Sequence, residues 1–131
     1  EGDFFYDVIA FLEAEEDDFI CGPRVVDWAA GWNEFPPESP IPYLEGWLLC
    51  MKTTTWRELG GFDDLFYPHD YEDIDLSYRA TRKEIHLRQM SLPVRHIGAG
   101  TIGWTQERRA NTEKQRVRFA EKWKLKWSAV R

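Results

Sequence analysis

Cysteine is scarce in this sequence: Cys21 and Cys50 are the two in 131 residues. Both lie in apolar stretches that read as strands, where lone thiols pack as small hydrophobes. A disulfide scaffold is therefore not indicated, and a reducing, cytoplasmic setting is expected. Long hydrophobic runs are missing as well. No stretch approaches the roughly 20 apolar residues of a membrane-spanning helix, and no signal peptide is visible. The body of the chain also lacks basic residues. Residues 1–107 hold 8 Lys/Arg against 21 Asp/Glu, whereas residues 108–131 hold 9 against 2. An acidic body with a basic tail argues against a nucleic-acid module. The chain opens at Glu1 rather than at a methionine, so something is expected to have been removed from its start.

Aromatic side chains are abundant, with 7 Trp, 8 Phe and 5 Tyr, and 43% of the residues are hydrophobic. At this length that composition predicts one globular domain around one modest core. Phe4, Val8, Phe11 and Leu12 alternate with acids and predict an amphipathic helix over 4–16. Residues 19–26 predict a buried strand bent at Gly22-Pro23. The proline-rich stretch 28–43 reads as a long loop. Its Trp28, Trp32, Phe35 and Tyr43 either form a wall on which a sugar stacks or staple the loop to the core. Residues 45–51 form a near-continuous apolar run, the pattern of a strand buried on both faces. Thr55 and Glu58 suit a capping box for a short helix ending at Gly60. Residues 85–88 and 94–97 read as strands, and 106–127 as a polar, basic helix anchored by Val117, Phe119, Trp123 and Trp127.

The densest chemistry lies between Asp63 and Asp75, where Asp63, Asp64, His69, Asp70, Glu72, Asp73 and Asp75 fall within thirteen residues. Asp70 is placed to cap a helix, with Glu72, Asp73 and Asp75 near the positive end of its dipole. Ile74 and Tyr78 share one face of that helix, leaving Asp73 on another. A carboxylate fixed at a helix start suits a general base or a cation ligand. Plain capping chemistry explains the same acids. His96 ends a predicted strand and precedes the glycine-rich run 98–103, where backbone can approach a ligand closely.

Gly60-Gly61-Phe62-Asp63-Asp64, an aromatic link and Glu72-Asp73-Ile74-Asp75-Leu76-Ser77-Tyr78-Arg79 resemble the GGFDE…F…ED.DL..R pattern of family 2 glycosyltransferases. The resemblance extends over about residues 4–127 and covers the acceptor-side half of those enzymes. It implies an α/β fold, the C-terminal part of a GT-A mixed sheet flanked by helices in a single compact piece. Residues 1–131 would form the catalytic-base half, with 106–127 as a C-terminal basic helix. It also implies inverting, nucleotide-sugar-dependent transfer to a saccharide or other hydroxyl acceptor. By match, Asp73 is the base, and Glu72, Asp75 and Arg79 orient it. Gly46, Trp47, Gly61, Phe62 and Asp63 would line the substrate site. His96 matches the histidine that ligates Mn2+ or Mg2+ in similar enzymes with a V.H.GGGS segment.

Phe119-Ala120-Glu121-Lys122-Trp123 is similar to the F..KW ending of the family. Gln106-Glu107-Arg108-Arg109-Ala110 departs from the Gln-x-x-Arg-Trp motif of processive members, because Ala110 replaces the Trp. The larger departure is the nucleotide-binding half with its Asp-x-Asp motif, which this sequence does not contain. The expected partners are therefore a nucleotide-sugar donor, a saccharide acceptor and the missing half, and the isolated chain is expected to be inactive. The basic helix suits either packing on the core or peripheral contact with anionic lipid, where each Lys or Arg contributes ~1 kcal/mol. Two alternatives stay open. One is a non-catalytic carbohydrate-binding or assembly module. The other is an unrelated divalent-cation enzyme using Asp70, Asp73, Asp75 and His96.

Overall fold

Side-chain caps and buried strand faces set the order of elements in the computed structural model, which describes residues 3–27, 41–98, 100 and 102–125. Helix α1 spans Phe4–Glu13, started by the Asp3 carboxylate, which accepts from the N–H groups of Phe5 and Tyr6. It stops short of the expected Glu16. Acids crowd its C-terminal end with no basic residue in the last turn, and negative charge there opposes the helix dipole.

Strand β1 (Phe19–Gly22) is buried along its whole length. It pairs antiparallel with β4 (Cys50–Met51) and parallel with β5 (His86–Gln89), giving a small mixed sheet ordered β4-β1-β5. The Gly22-Pro23 bend goes further than expected. After it the chain joins a second sheet, where β2 (Val25–Asp27) pairs antiparallel with β3 (Pro42–Leu44). The stretch expected as one strand over 45–51 is mostly a turn, with only Cys50 and Met51 in the ladder. Its Gly46 N–H points to the Asp73 carboxylate instead of to a neighbouring strand.

Helix α2 (Thr53–Leu59) starts at Lys52 without a side-chain cap. The expected capping box is absent because Thr55 is buried one turn in, where its hydroxyl donates to Asp18. Gly60 does end the helix with a left-handed φ of 80°. A 3-10 turn (Asp64–Phe66) leads to α3 (Glu72–Arg82), which packs on β3 and β5. Residues 94–97 form no strand. Val94 and Ile97 are exposed, and no neighbouring strand among the described residues is there to pair with them.

Helix α4 (Gln106–Trp123) begins at Thr105, whose hydroxyl accepts from Arg108 N–H. Its Phe119 ring meets Phe66, Tyr71 and Tyr78 in one core cluster. Buried Gln115 donates to the carbonyls of Phe66 and Tyr67. The basic tail is thus a clamp on the acidic body, with Arg108 on Asp70 and Lys122 on Asp63 and Asp75. The molecule is an α/β protein with a small mixed sheet and four α-helices among the described residues. No helix there is long and apolar enough to cross a membrane. Trp28, Trp32, Phe35 and Trp127 lie outside the described residues.

Candidate functional site

The entry to α3 turns on two consecutive left-handed residues, Asp70 (φ 71°) and Tyr71 (φ 75°). Bulky residues seldom adopt that conformation, so neighbouring contacts must hold it. Tyr71 is buried in the core. Asp70 accepts from Arg108 at 3.2 Å and from the Thr112 hydroxyl at 2.6 Å, and it faces His69 Nδ1 at 3.0 Å. Asp70 is therefore not the helix cap expected from its position. The left-handed turn aims its carboxylate at α4, and Tyr71 occupies the cap position without a side-chain bond.

Asp73 lies one residue into α3. Its Oδ2 accepts from Gly46 N–H at 2.8 Å, and its Oδ1 accepts from Ile74 N–H at 2.8 Å. Burial, with the adjacent Glu72 charge adding to it, pushes the carboxyl up to about 7 against these backbone donors. Glu72 is also raised, mainly by burial, and its Oε2 has no hydrogen-bond partner among the described residues. The Tyr43 phenol is pushed up by burial and by the charges of Asp73 and Glu45. Tyr43 belongs to the core, so its ring borders the site from below rather than forming an exposed wall.

These groups line a cleft of about 500 Å3 that also includes Trp47, His96, Ile102, Trp104 and Arg108. Trp47 and His96 stack with ring centroids 4.6 Å apart at 9°. Trp47 also donates its indole N–H to Glu45 at 3.0 Å. At Gly46 a side chain is excluded. A Cβ there would lie 2.8 Å from the Asp73 Cβ and 3.1 Å from its Oδ2. Gly46→Ala is expected to displace the Asp73 side chain and to lower stability by about 1–3 kcal/mol, the usual cost of overpacking. Urea unfolding checks this, and unchanged stability would show that the turn moves away freely.

The remaining predicted residues divide between two places. Asp75 is fully buried and accepts from Arg79, Lys122 and Trp123. Arg79 in turn donates to the carbonyls of Leu59 and Gly61, so this pair holds the diglycine turn. Asp63 binds Lys122 and caps the 3-10 turn through Leu65 N–H. Phe62 lies edge-on to Trp56 in a neighbouring apolar groove of about 630 Å3, which meets the cleft at Gly46 and Trp47. The structure thus brings Asp73, Glu72, Gly46, Trp47 and His96 together. Gly61, Asp63, Asp75 and Arg79 belong to the scaffold behind them.

Among the described residues, no group of three or more His, Cys, Asp or Glu is placed to hold a metal ion. Asp70 and Asp75 lie in separate ion pairs, Asp70 with Arg108 and Asp75 with Arg79 and Lys122. His96 by itself suits one position on a cation of the Mn2+ type. Sequence reasoning missed Trp104, Arg108 and Thr112. The spacing of Arg108 and Thr112 puts both on one helical face, but nothing local says that this face meets Asp70. Matched against family models, curated proteins and solved structures, the chain finds no counterpart.

Proposed function

We propose that this chain is the acceptor-side half of an inverting, nucleotide-sugar-dependent glycosyltransferase with a GT-A fold, and that Asp73 is its general base. The observation that carries the reading is the Asp73 carboxyl, set in a cleft and poised near neutrality by burial. A base works best when its pKa lies near the working pH. In the proposed reaction an Asp73 oxygen takes the proton of an acceptor hydroxyl as that oxygen bonds to the anomeric carbon. The bond from that carbon to the diphosphate oxygen breaks, and the electron pair leaves with the nucleoside diphosphate. The Gly46 N–H fixes the orientation of the base. The Asp75–Arg79 pair fixes the turn behind it.

Two surfaces favour a second, nucleotide-binding half. Helix α1 is apolar around most of its circumference, with Phe5, Tyr6 and Ile9 exposed, and such a helix is normally covered on more than one side. Strand β4 ends the sheet among the described residues, and an edge strand offers its backbone to another strand. A divalent cation would offset the charge of the departing diphosphate. His96 would contribute one ligand, and the others would come from the second half.

The test joins this chain to the segment encoded upstream of it and supplies nucleotide sugars with saccharide acceptors. Transfer with inverted anomeric configuration, seen by NMR of the product, is expected, with a rate that rises with pH through about 7. Retained configuration, or a rate flat across that range, contradicts the assignment.

A further inference from the structure

Cys21 and Cys50 are far apart in the sequence but stand directly opposite one another in the antiparallel β1–β4 ladder. Their side chains share one face of the sheet. Both pack with Val8, Phe19 and Met90, whereas their neighbours Ile20 and Met51 pack into a different cluster on the other face. The two thiols also interact directly, through a side-chain hydrogen bond. Opposed residues of an antiparallel pair have Cα atoms about 4.5–5.5 Å apart, and a disulfide spans about 4.4–6.8 Å. A bond between these two sulfurs therefore fits the ladder as it stands.

The two thiols are not equivalent. Cys21 lies in the middle strand with no exposed surface, and its bond to Cys50, together with burial, keeps its proton on. Cys50 lies on the outer strand, is only half-buried, and lines the apolar groove with Trp47 and Trp56. Of the two, Cys50 is the one open to a small reagent. The hydrogen bond from Cys21 also favours its thiolate, against the opposing effect of burial. An accessible sulfur with thiolate character is the one that reacts, and a thiol in contact with it resolves the product. Packing as a small hydrophobe accounts for Cys21, but it does not call for a second thiol opposite it at the groove.

We propose that Cys21 and Cys50 are a redox pair, and that a hydroperoxide joins them in a cross-strand disulfide fastening β4 to β1. The Cys50 thiolate attacks one peroxide oxygen, and the O–O bond breaks. That oxygen stays on sulfur as a sulfenic acid, and the other takes up a proton and leaves as water or an alcohol. The Cys21 sulfur then attacks the Cys50 sulfur, and its proton leaves with the sulfenic hydroxyl as water. Two thiols lose two electrons in all, and the hydroperoxide takes both. A small thiol reverses the bond by exchange. Gly46, whose N–H holds Asp73, lies in the turn that runs into β4, so the bond forms at the end of the segment that holds Asp73. None of this requires transferase activity.

The test treats the folded, reduced chain with a slight excess of hydrogen peroxide and follows its mass. A monomer lighter by two hydrogens is expected, with Cys21 and Cys50 joined in one cross-linked peptide and the original mass restored by dithiothreitol. In a glutathione redox titration the folded chain should favour the disulfide roughly tenfold or more over the chain in urea, because an unstrained cross-link and the fold stabilise each other. In Cys50→Ala the buried Cys21 should stay a thiol under the same treatment. Two unreacted thiols in the wild type overturn the proposal. So do overoxidation of Cys50 without the cross-link, disulfides between chains, oxidation of Cys21 in Cys50→Ala, or no preference for the disulfide in the folded chain.

Discussion

Asp73→Asn is expected to make the chain more stable above neutral pH, by an amount on the order of a few kcal/mol. The wild-type carboxyl is pushed from 3.8 to about 7 by burial and by Glu72. Between those values the folded chain keeps a proton that the unfolded chain has released. Stability therefore falls as pH rises through that window, and the loss is complete above about 7. Asparagine has nearly the same shape and carries no charge to desolvate, and its one amide oxygen can accept from either Gly46 N–H or Ile74 N–H but not from both, a loss smaller than the charge term. Relative to the wild type, the variant should gain stability between pH 3 and pH 8, as read from urea unfolding at both values. Equal stability at pH 8 would mean that the Asp73 carboxylate is solvated after all. Under the proposed reading a general base is kept in such an unfavourable environment, and the cost of that environment to folding is measurable here.

Asp75→Ala is expected to act in the opposite direction. Asp75 has no exposed surface, and it accepts from Arg79 Nε at 2.8 Å, Lys122 Nζ at 2.6 Å and Trp123 Nε1 at 2.8 Å. Removing it leaves two cations without this partner in a largely covered place. Truncating one member of a buried ionic network typically costs 3–5 kcal/mol, roughly a third or more of a small domain's stability. The damage should spread along both arms. Arg79 would lose its anchor beside Leu59 and Gly61, and Lys122 would keep Asp63 as its carboxylate partner among the described residues. A drop of that size in urea, with α4 released first in hydrogen exchange, is the expected result. A loss below about 1 kcal/mol would show that the pair of helices is held by Phe119 and its aromatic neighbours alone.

The two aspartates are two residues apart, and apart from the family resemblance nothing in their spacing or charge separates their roles. Composition and periodicity made the acidic run visible and placed it at a helix start. What divides Asp73 from Asp75 is the identity of distant partners, Gly46 for one and Lys122 with Trp123 for the other. The same limit explains Asp70. A capping position read from spacing assumes ordinary backbone, whereas left-handed Asp70 and Tyr71 redirect that carboxylate to α4. Helices α1, α2 and α4 were legible from apolar spacing and from Gly60, although the C-terminal end of α1, the end of α4 at Trp123 rather than 127, and the cap of α2 were not. The strand expected over 94–97 failed because alternation describes a strand only when another strand is beside it. The basic tail was legible as a block of charge. That its cations close onto Asp63, Asp70 and Asp75 depends on the folded placement of α4.

The most direct measurement is the rate of sugar transfer at pH 8 by the joined enzyme, wild type against Asp73→Asn, with saturating donor and acceptor. A positioned general base typically contributes a factor of roughly a hundred to ten thousand, and the expected result is a loss in that range from a variant that folds at least as well as the wild type. An Asp73→Asn enzyme that kept most of its turnover would contradict the assignment of Asp73 as the base.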